Sequence, residues 1–280
     1  MFIGIFANRT HEIIPIQGCA IQDIKSIQIA KYVVDAIKKY NLSVYNENTG
    51  KGLMRHVIVK AAKSTGEYMV ILVVNGNKLP YAKEIAKSLV DMCSSITSVI
   101  VNINTKNTNV ILGDKNITVY GRDYIEEELL GLKFKITAFS FFQTNSLGAE
   151  VLYSKARDYV GTTNDKVIFD LYSGTGTIAQ ILAPVAKKVI GVEIISEAVD
   201  AAKINASING LDNCEFIADD VLNALDNIKD KPDFIVLDPP RDGINPKALK
   251  KIIDYGVDSM VYISCKPTSL ARDLVMLQES

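Results

Sequence analysis

An ionised cysteine is a strong nucleophile, and one of the four cysteines in this chain has a setting suited to that use. Cys265 stands in Ser264-Cys265-Lys266-Pro267, where a short apolar strand ends and Pro267 opens a helix. The positive end of that helix and the neighbouring Lys266 both favour a thiolate. A lone cysteine is also commonly inert core, and the residues alone leave both readings open. Cys93 and Cys214 have no such setting and read as structural.

A second reactive stretch is Asp238-Pro239-Pro240-Arg241-Asp242-Gly243. Proline locks φ and removes an N–H, so the turn that carries Asp238 is rigid. Asp238 can accept a hydrogen bond from a substrate or cofactor; the plainer alternative is a stiff turn with a solvated carboxylate. A third stretch, Asp170-Leu171-Tyr172-Ser173-Gly174-Thr175-Gly176-Thr177, places Gly174 and Gly176 where backbone can turn tightly and approach a ligand. A plain strand–helix turn has the same look. Glu193 ends the next strand, 23 residues after Asp170, where an acid can accept both hydroxyls of a ribose. It can equally be a solvated strand end. The turn lacks the third glycine of the dinucleotide fingerprint, which favours an adenosyl ligand without a pyrophosphate over NAD. Asp219 and Asp220 follow the third strand, and either meets an adenine amino group or caps a helix.

These residues need a scaffold that gathers strand ends, and the second half of the chain has its pattern. Short apolar runs over residues 166–171, 188–192, 215–218, 233–237 and 259–263 read as five strands. Helices are expected over 177–185, 196–209 and 268–277, the second capped by Ser196 and followed by Gly210. Continuous apolar strands between helices indicate a parallel sheet covered on both faces. Such sheets bind ligands beyond the carboxyl ends of their strands, where each stretch above lies.

Residues 1–136 read differently, as an α+β lobe. An amphipathic helix is expected over 24–40, with Ile27, Ile29, Val33, Val34 and Ile37 near one face. Another is expected over 81–92. Strands are expected over 56–61 and 68–74, joined by a turn with Ser64, Thr65 and Gly66, then over 97–103, 110–112, 117–120 and 131–136. The chain therefore divides at 1–136 and 137–280. Its composition is ordinary for a globular protein, 48% hydrophobic and 22% charged. A net charge of −1 excludes a generally basic nucleic-acid coat, so any nucleic acid must meet local patches or a further domain. No apolar run approaches the ~20 residues of a membrane span. Residues 1–10 lack the pattern of a secretory leader. Scattered cysteines without a CxxC pair give no metal site and fit a reducing cytoplasm.

Taken together, Ser140-Phe141-Phe142-Gln143-Thr144-Asn145, the stretch from Asp170 to Thr177, Leu237 with Asp238 to Gly243, Ser264-Cys265-Lys266-Pro267-Thr268 and Arg272-Asp273-Leu274 resemble the RNA 5-methyluridine methyltransferases. These include bacterial 23S rRNA uracil-C5 enzymes and their tRNA relatives. The likeness extends to residues 52–59 and 107–113. It implies a Rossmann-like, class I S-adenosylmethionine-dependent methyltransferase sheet in an α/β protein. It implies a cofactor and substrate pocket of Gln143, Tyr172, Glu193 and Asp238, to which Gly174, Gly176 and Asp220 add cofactor contacts and Phe141 and Arg241 substrate contacts. Cys265 is then the catalytic nucleophile.

The chemistry agrees with that role. C5 of uracil is a poor nucleophile, and thiolate addition at C6 makes it enolate-like, able to take a methyl group. A base must then remove the C5 proton, and the uridine must be swung out of folded RNA. Phe141 or Phe142 can stack on a base, although core packing is the alternative for each. The resemblance favours ribosomal over transfer RNA as partner, and no protein partner follows from it.

Two departures set further expectations. The family's general base is a Glu beyond the Cys helix, whereas the sequence ends fifteen residues after Cys265, with Glu279 too near the end for the role. Cys19, in Gln17-Gly18-Cys19-Ala20, resembles the last ligand of an iron–sulfur cluster whose other cysteines lie upstream. The chain thus reads as a fragment truncated at both ends, with its last strand an exposed edge prone to association, and Lys266 replaces a common Asn. Two rival functions follow from the same residues. An N-methyltransferase commonly has an aromatic residue where Arg241 stands, and would leave Cys265 idle. A non-catalytic RNA- or cofactor-binding module is the other.

Overall fold

The computed structural model describes residues 4–8, 10, 13–161 and 163–278. Glu279 and part of residues 1–10 lie outside them. The chain forms two compact units, one of Met1–Glu127 with Ile136–Ala138, the other of Glu128–Lys135 with Phe139–Ser280.

In chain order, the first stretch holds β1 (Gly4–Phe6), β2 (Ile13–Pro15), α1 (Ile24–Lys39), β3 (Met54–Ala61) and β4 (Tyr68–Val74). It continues with α2 (Ala82–Met92), β5 (Ile96–Ile103), β6 (Lys115–Gly121) and the pair β7 (Tyr124–Leu129) and β8 (Leu132–Thr137). Strands β3 to β6 form a sheet in sequence order, antiparallel except for the parallel pair β4–β5. Alternation along β4 sends Val70, Leu72 and Val74 to one face, where they pack with Ile29, Val33 and Ile37 of α1 and Ile85 and Leu89 of α2. Each such side chain contributes about 1.5–3 kcal/mol on burial. The Asp23 carboxylate caps α1 by accepting the Ser26 amide at 2.9 Å.

The strand expected over residues 110–112 does not form. Asn104 Nδ2 donates to the carbonyls of Val110 and Ile111 at 2.8 and 3.0 Å, which bends this apolar stretch into a loop with Val110 and Ile111 exposed.

The remainder holds α3 (Ser146–Val160), β9 (Thr163–Leu171), α4 (Thr177–Leu182), β10 (Ala186–Glu193), α5 (Ser196–Ile208) and β11 (Cys214–Ala218). After these come α6 (Val221–Asn227), β12 (Phe234–Leu237), α7 (Pro246–Asp254), β13 (Met260–Tyr262) and α8 (Pro267–Gln278). Strands β9 to β13 form the five-stranded parallel sheet that the sequence pattern implies, in the order β11-β10-β9-β12-β13. The order reverses at β9, since β10 leaves to one side and β12 arrives on the other. A crevice therefore opens beyond the carboxyl end of β9. β13 is an edge strand with half-buried residues.

Period-two alternation covers both faces of this sheet. Ile168, Val189 and Val236 pack with Ile178, Ile181, Leu182 and Val199 on one side. Phe169, Leu171, Ile190, Val192, Ile235 and Leu237 pack with Val221, Leu225, Leu249 and Ile252 on the other.

Helix α5 begins at Ser196 itself. Its N-cap is Ile195, without a side-chain cap, while Ser196 Oγ donates to Glu197 Oε2 at 3.1 Å. Ser196 is thus the first helical residue and not the cap expected. Asn205 on α5 and Asn209, its C-cap, hold the tip of the β7–β8 pair. Lys133 N donates to Asn209 Oδ1 at 2.8 Å and Lys133 O accepts from Asn209 Nδ2 at 2.9 Å. Asn205 does the same for Lys135, at 2.9 and 3.5 Å.

Candidate active site

The first group of site residues grows out of β9. Alternation puts Asp170 on the face of Ile168, which is the face of α4. Asp170 is fully buried, and its Oδ2 accepts the Ala179 amide at 2.9 Å. It thereby caps α4, whose own N-cap, Gly176, has no side chain for the task. Asp170 Oδ1 and the Ser173 hydroxyl are buried and have no hydrogen-bond partner among the described residues.

Asp170 pairs in register with Val236. Asp238 is two residues beyond Val236 and so lies on the same face of the neighbouring strand. Burial raises the Asp238 carboxyl to about 6. Burial first, then the Asp238 charge, lift Asp170 to about 7 against the pull of the Ala179 amide. Both carboxyls sit where their ionised forms are disfavoured, so a cationic or hydrogen-bond-donating ligand would be welcomed there. Tyr153, buried on α3, hydrogen-bonds with the Gln143 side chain, and burial and then the Asp238 charge raise its phenol to about 12. Gln143, Tyr153, Asp170 and Asp238 thus form one neighbourhood, in which Tyr153 was not foreseen and Asp170 was named only as the head of the glycine stretch.

The glycine turn completes this end. Gly174 N donates to Glu193 Oε2 at 3.0 Å, and Ile195 N to Glu193 Oε1 at 2.9 Å. Glu193 therefore ties the β9 loop to the β10 loop, and a carboxylate has lone pairs left for further donors. Gly174 has φ +54°, and a Cβ there would meet nothing within 4 Å. Gly176 is different. At φ +71° its Cβ would lie 2.5 Å from the Phe216 ring and 2.8 Å from Ala202 Cβ. Gly176 serves packing, while Gly174 keeps a cradle open. Two unpartnered buried polar atoms, an open glycine backbone and an acid at the next strand end fit a nucleoside-bearing cofactor with a cationic group.

Tyr172 also has a positive φ, 69°. Burial, then the charges of Asp220 and Asp273, raise its phenol to about 12. Asp220 is exposed and caps α6 by accepting the Leu222 amide at 2.9 Å, while Asp219 Oδ1 accepts the Asp220 amide at 2.7 Å. Of the two phenylalanines, either of which was expected to stack on a base or to pack in the core, Phe142 packs on Phe134, with centroids 5.7 Å apart. Phe141 is 72% exposed, and its carbonyl accepts from Thr175 Oγ1 at 3.4 Å. Of the two, Phe141 is the one with an exposed ring.

Cys265 is exposed, two residues ahead of the first residue of α8. Ser264 Oγ accepts the Lys266 amide at 3.2 Å and donates to the Lys266 carbonyl at 3.1 Å, which shapes the thiol loop. Arg241 is exposed on the neighbouring loop. Cys214, by contrast, is half-buried, and burial and then the Asp170 charge lift its thiol to about 12. Among the described residues no group of three or more His, Cys, Asp or Glu can hold a metal ion, and no helix is long and apolar enough to cross a membrane.

The family described as tRNA (uracil-5-)-methyltransferase matches residues 79–280. A Clostridium tetani protein named as an uncharacterized RNA methyltransferase is 42% identical over 280 residues, covering 99% of this chain and 61% of the relative. A similarly named Staphylococcus aureus protein is 38% identical, with coverage of 100% and 62%. The chain thus spans about three-fifths of the length of these relatives. A solved structure of the Pyrococcus abyssi tRNA (uracil-54, C5)-methyltransferase in complex with S-adenosyl-L-homocysteine superimposes with a TM-score of 0.80. It is 28% identical, and the match covers 95% of this chain and 64% of that one. Since the family match takes in the whole parallel sheet and every loop at its carboxyl end, the chain belongs to the tRNA (uracil-5-)-methyltransferase family.

Proposed function

We propose that this protein transfers a methyl group from S-adenosylmethionine to C5 of a uridine in RNA, with Cys265 as the nucleophile. The observation that carries the proposal is the exposed Cys265 in the loop beyond β13, one strand from the half-buried carboxyl of Asp238. Family membership and the relative solved with S-adenosyl-L-homocysteine support it.

Bound S-adenosylmethionine would supply an electrophilic methyl group, its S–CH3 bond breaking to leave S-adenosylhomocysteine. The protein's own residues do the rest. Gly174 and Glu193 receive the nucleoside part, with Gly176, Tyr172 and Asp220 around it. Asp170 and Asp238 offer carboxyl oxygens to its cationic end. Gln143 and Asp238 hold the uracil, Arg241 lies on the substrate side, and the Phe141 ring stacks on a base. The Cys265 thiolate adds its electron pair to C6, and the C5=C6 pair moves to make C5 nucleophilic. Once C5 carries the methyl group, loss of the C5 proton to a base returns the electron pair, and the C6–S bond breaks to restore the thiolate. We infer ribosomal RNA as the substrate from the resemblance of the motifs, with transfer RNA as the contrasting case.

The test is an intact-mass measurement after mixing the protein with S-adenosylmethionine and 5-fluorouridine-substituted RNA, ribosomal or transfer. Fluorine cannot leave as a proton, so the methylated adduct accumulates. The expected result is an adduct on ribosomal fragments that is absent in Cys265→Ser. Adduct formation on transfer RNA alone would correct the substrate. Methyl transfer that persists undiminished in Cys265→Ser would overturn the mechanism.

A further inference from the structure

Arg272-Asp273-Leu274 is part of the motif set, yet none of its side chains has a part in the chemistry above. Asp273 is 2% exposed. Its Oδ2 accepts the Ile244 amide at 2.8 Å and the Tyr262 hydroxyl at 2.7 Å. Its Oδ1 accepts from Arg272 Nε at 2.9 Å and Nη2 at 2.8 Å. Arg272 Nη2 also donates to the Asp242 carbonyl at 2.7 Å. Burial would raise this carboxyl, but the Ile244, Tyr262 and Arg272 donors outweigh it and hold it below the ordinary carboxylate range.

These partners come from two places. Asp242 and Ile244 belong to the loop after β12, which begins at Asp238. Tyr262 ends β13, directly ahead of the thiol loop. One turn earlier on α8, Ser269 Oγ lies 2.9 Å from the carbonyls of both Arg241 and Lys266, one in each loop. Gly243 fits the same picture. At φ +79°, a Cβ on Gly243 would run into the Arg272 guanidinium and the Asp273 carboxylate. The loop needs glycine there because the α8 side chains fill the space.

A buried charge is a costly way to join two segments, and apolar residues of similar volume would often stabilise the fold better. What the charge adds is direction, because four donors converge on two oxygens and fix both loops against one helix. We infer that Asp273 and Ser269 are positioning residues. They hold the Asp238 loop and the Cys265 loop at a set separation, so that carboxyl and thiol address the same base. The inference rests on reading Cys265 as the nucleophile.

The test combines two measurements on the protein and its Asp273→Asn and Ser269→Ala variants. Asn puts an NH2 group against donors, which breaks half of the cluster. Ser269→Ala is milder and leaves every bond of Asp273 in place. In the 5-fluorouridine adduct reaction, the expected result is a first-order rate constant about tenfold lower in Asp273→Asn with an unchanged final amplitude. A protein that is merely less stable would instead lose amplitude. Hydrogen exchange supplies the second measurement. Ser269→Ala should speed exchange in residues 241–245 and 264–268 together, since the loops share the clamp. An unchanged rate constant with lost amplitude, or faster exchange confined to α8, would overturn the inference. Joint loosening of both loops in a protein that forms no wild-type adduct would retain the clamp and remove the methylation reading.

Discussion

The buried carboxylate of Asp170 accepts the Ala179 amide at 2.9 Å and so caps a helix from the strand that precedes it. An N-cap side chain usually stands at the cap position itself. Here that position is Gly176, whose added Cβ would strike Phe216 and Ala202. The division of labour keeps the turn thin, and it leaves Asp170 Oδ1 buried and without a partner among the described residues.

This arrangement has a pH signature. The folded-state value for Asp170, about 7, lies above the ordinary 3.8. The folded protein therefore binds that proton more tightly than the unfolded chain does. Its stabilising contribution is complete below about pH 4 and is lost as the pH rises through about 7. Asp238, raised to about 6, acts with the same sign. Thermal melts of the cofactor-free protein should show stability falling over this window, with a shallower fall in Asp170→Asn. A wild-type protein whose melting temperature rises from pH 5 to 7.5 would contradict the account.

The two glycines of the turn should respond differently to alanine. Gly176→Ala meets both the left-handed backbone and the Phe216 ring, so a loss of about 2–4 kcal/mol is expected in denaturant titration. Gly174→Ala meets open space and should lose about 1–2 kcal/mol. If the cofactor passes over Gly174, its affinity should fall about tenfold in that variant, a difference of about 1.4 kcal/mol. Calorimetric titration with S-adenosylmethionine decides this, and unchanged affinity would move the cofactor elsewhere.

Phe141 and Phe142 separate in the same manner. Phe142→Ala removes a ring packed on Phe134 and should cost about 2 kcal/mol of stability. Phe141→Ala removes an exposed ring, so melting should hardly change while RNA binding weakens by about 1–3 kcal/mol, the scale of one stacked base. Equal RNA affinity in Phe141→Ala and wild type would remove the stacking role.

Asn209 joins three segments. Besides Lys133, its Nδ2 reaches Gln180 Oε1 at 3.1 Å, and Gln180 Nε2 donates to the Gly176 carbonyl at 3.1 Å. Gln180 is fully buried, so Asn209→Ala takes the donor from a buried amide oxygen. A loss of about 2 kcal/mol is expected from urea unfolding, and no loss would show that water replaces the bond.

The parallel sheet and the loops at its carboxyl end were legible because apolar runs, glycines and prolines mark them directly. Helix α3 was not, for a specific reason. Its buried face is Ser146, Ala149, Tyr153, Ala156 and Val160, whereas Leu147, Val151 and Tyr159 are exposed. The helical period is present but carried by small and polar residues, so a search for apolar spacing passes over it. Asn145, which caps α3 through the Gly148 amide, was the available signal. Strand β7 was hidden by Glu126-Glu127-Glu128. Glu127 is buried because its carboxylate accepts the amides of Lys63 and Ser64 at 2.6 and 2.8 Å, partners far away in sequence. The same holds for Tyr153 and Asp273, whose surroundings are assembled only by the fold.

Asn205 and the α5 C-cap Asn209 have a consequence for how this protein behaves in company. An unpaired strand edge is a template on which another chain can add a strand. On β8 the amides and carbonyls of Lys133 and Lys135 are already engaged by Asn209 and Asn205. Two side chains one helical turn apart thus imitate the missing neighbour strand while lacking a backbone that could pass the pairing on. The ladder ends there, and this edge is closed to recruitment by a second molecule.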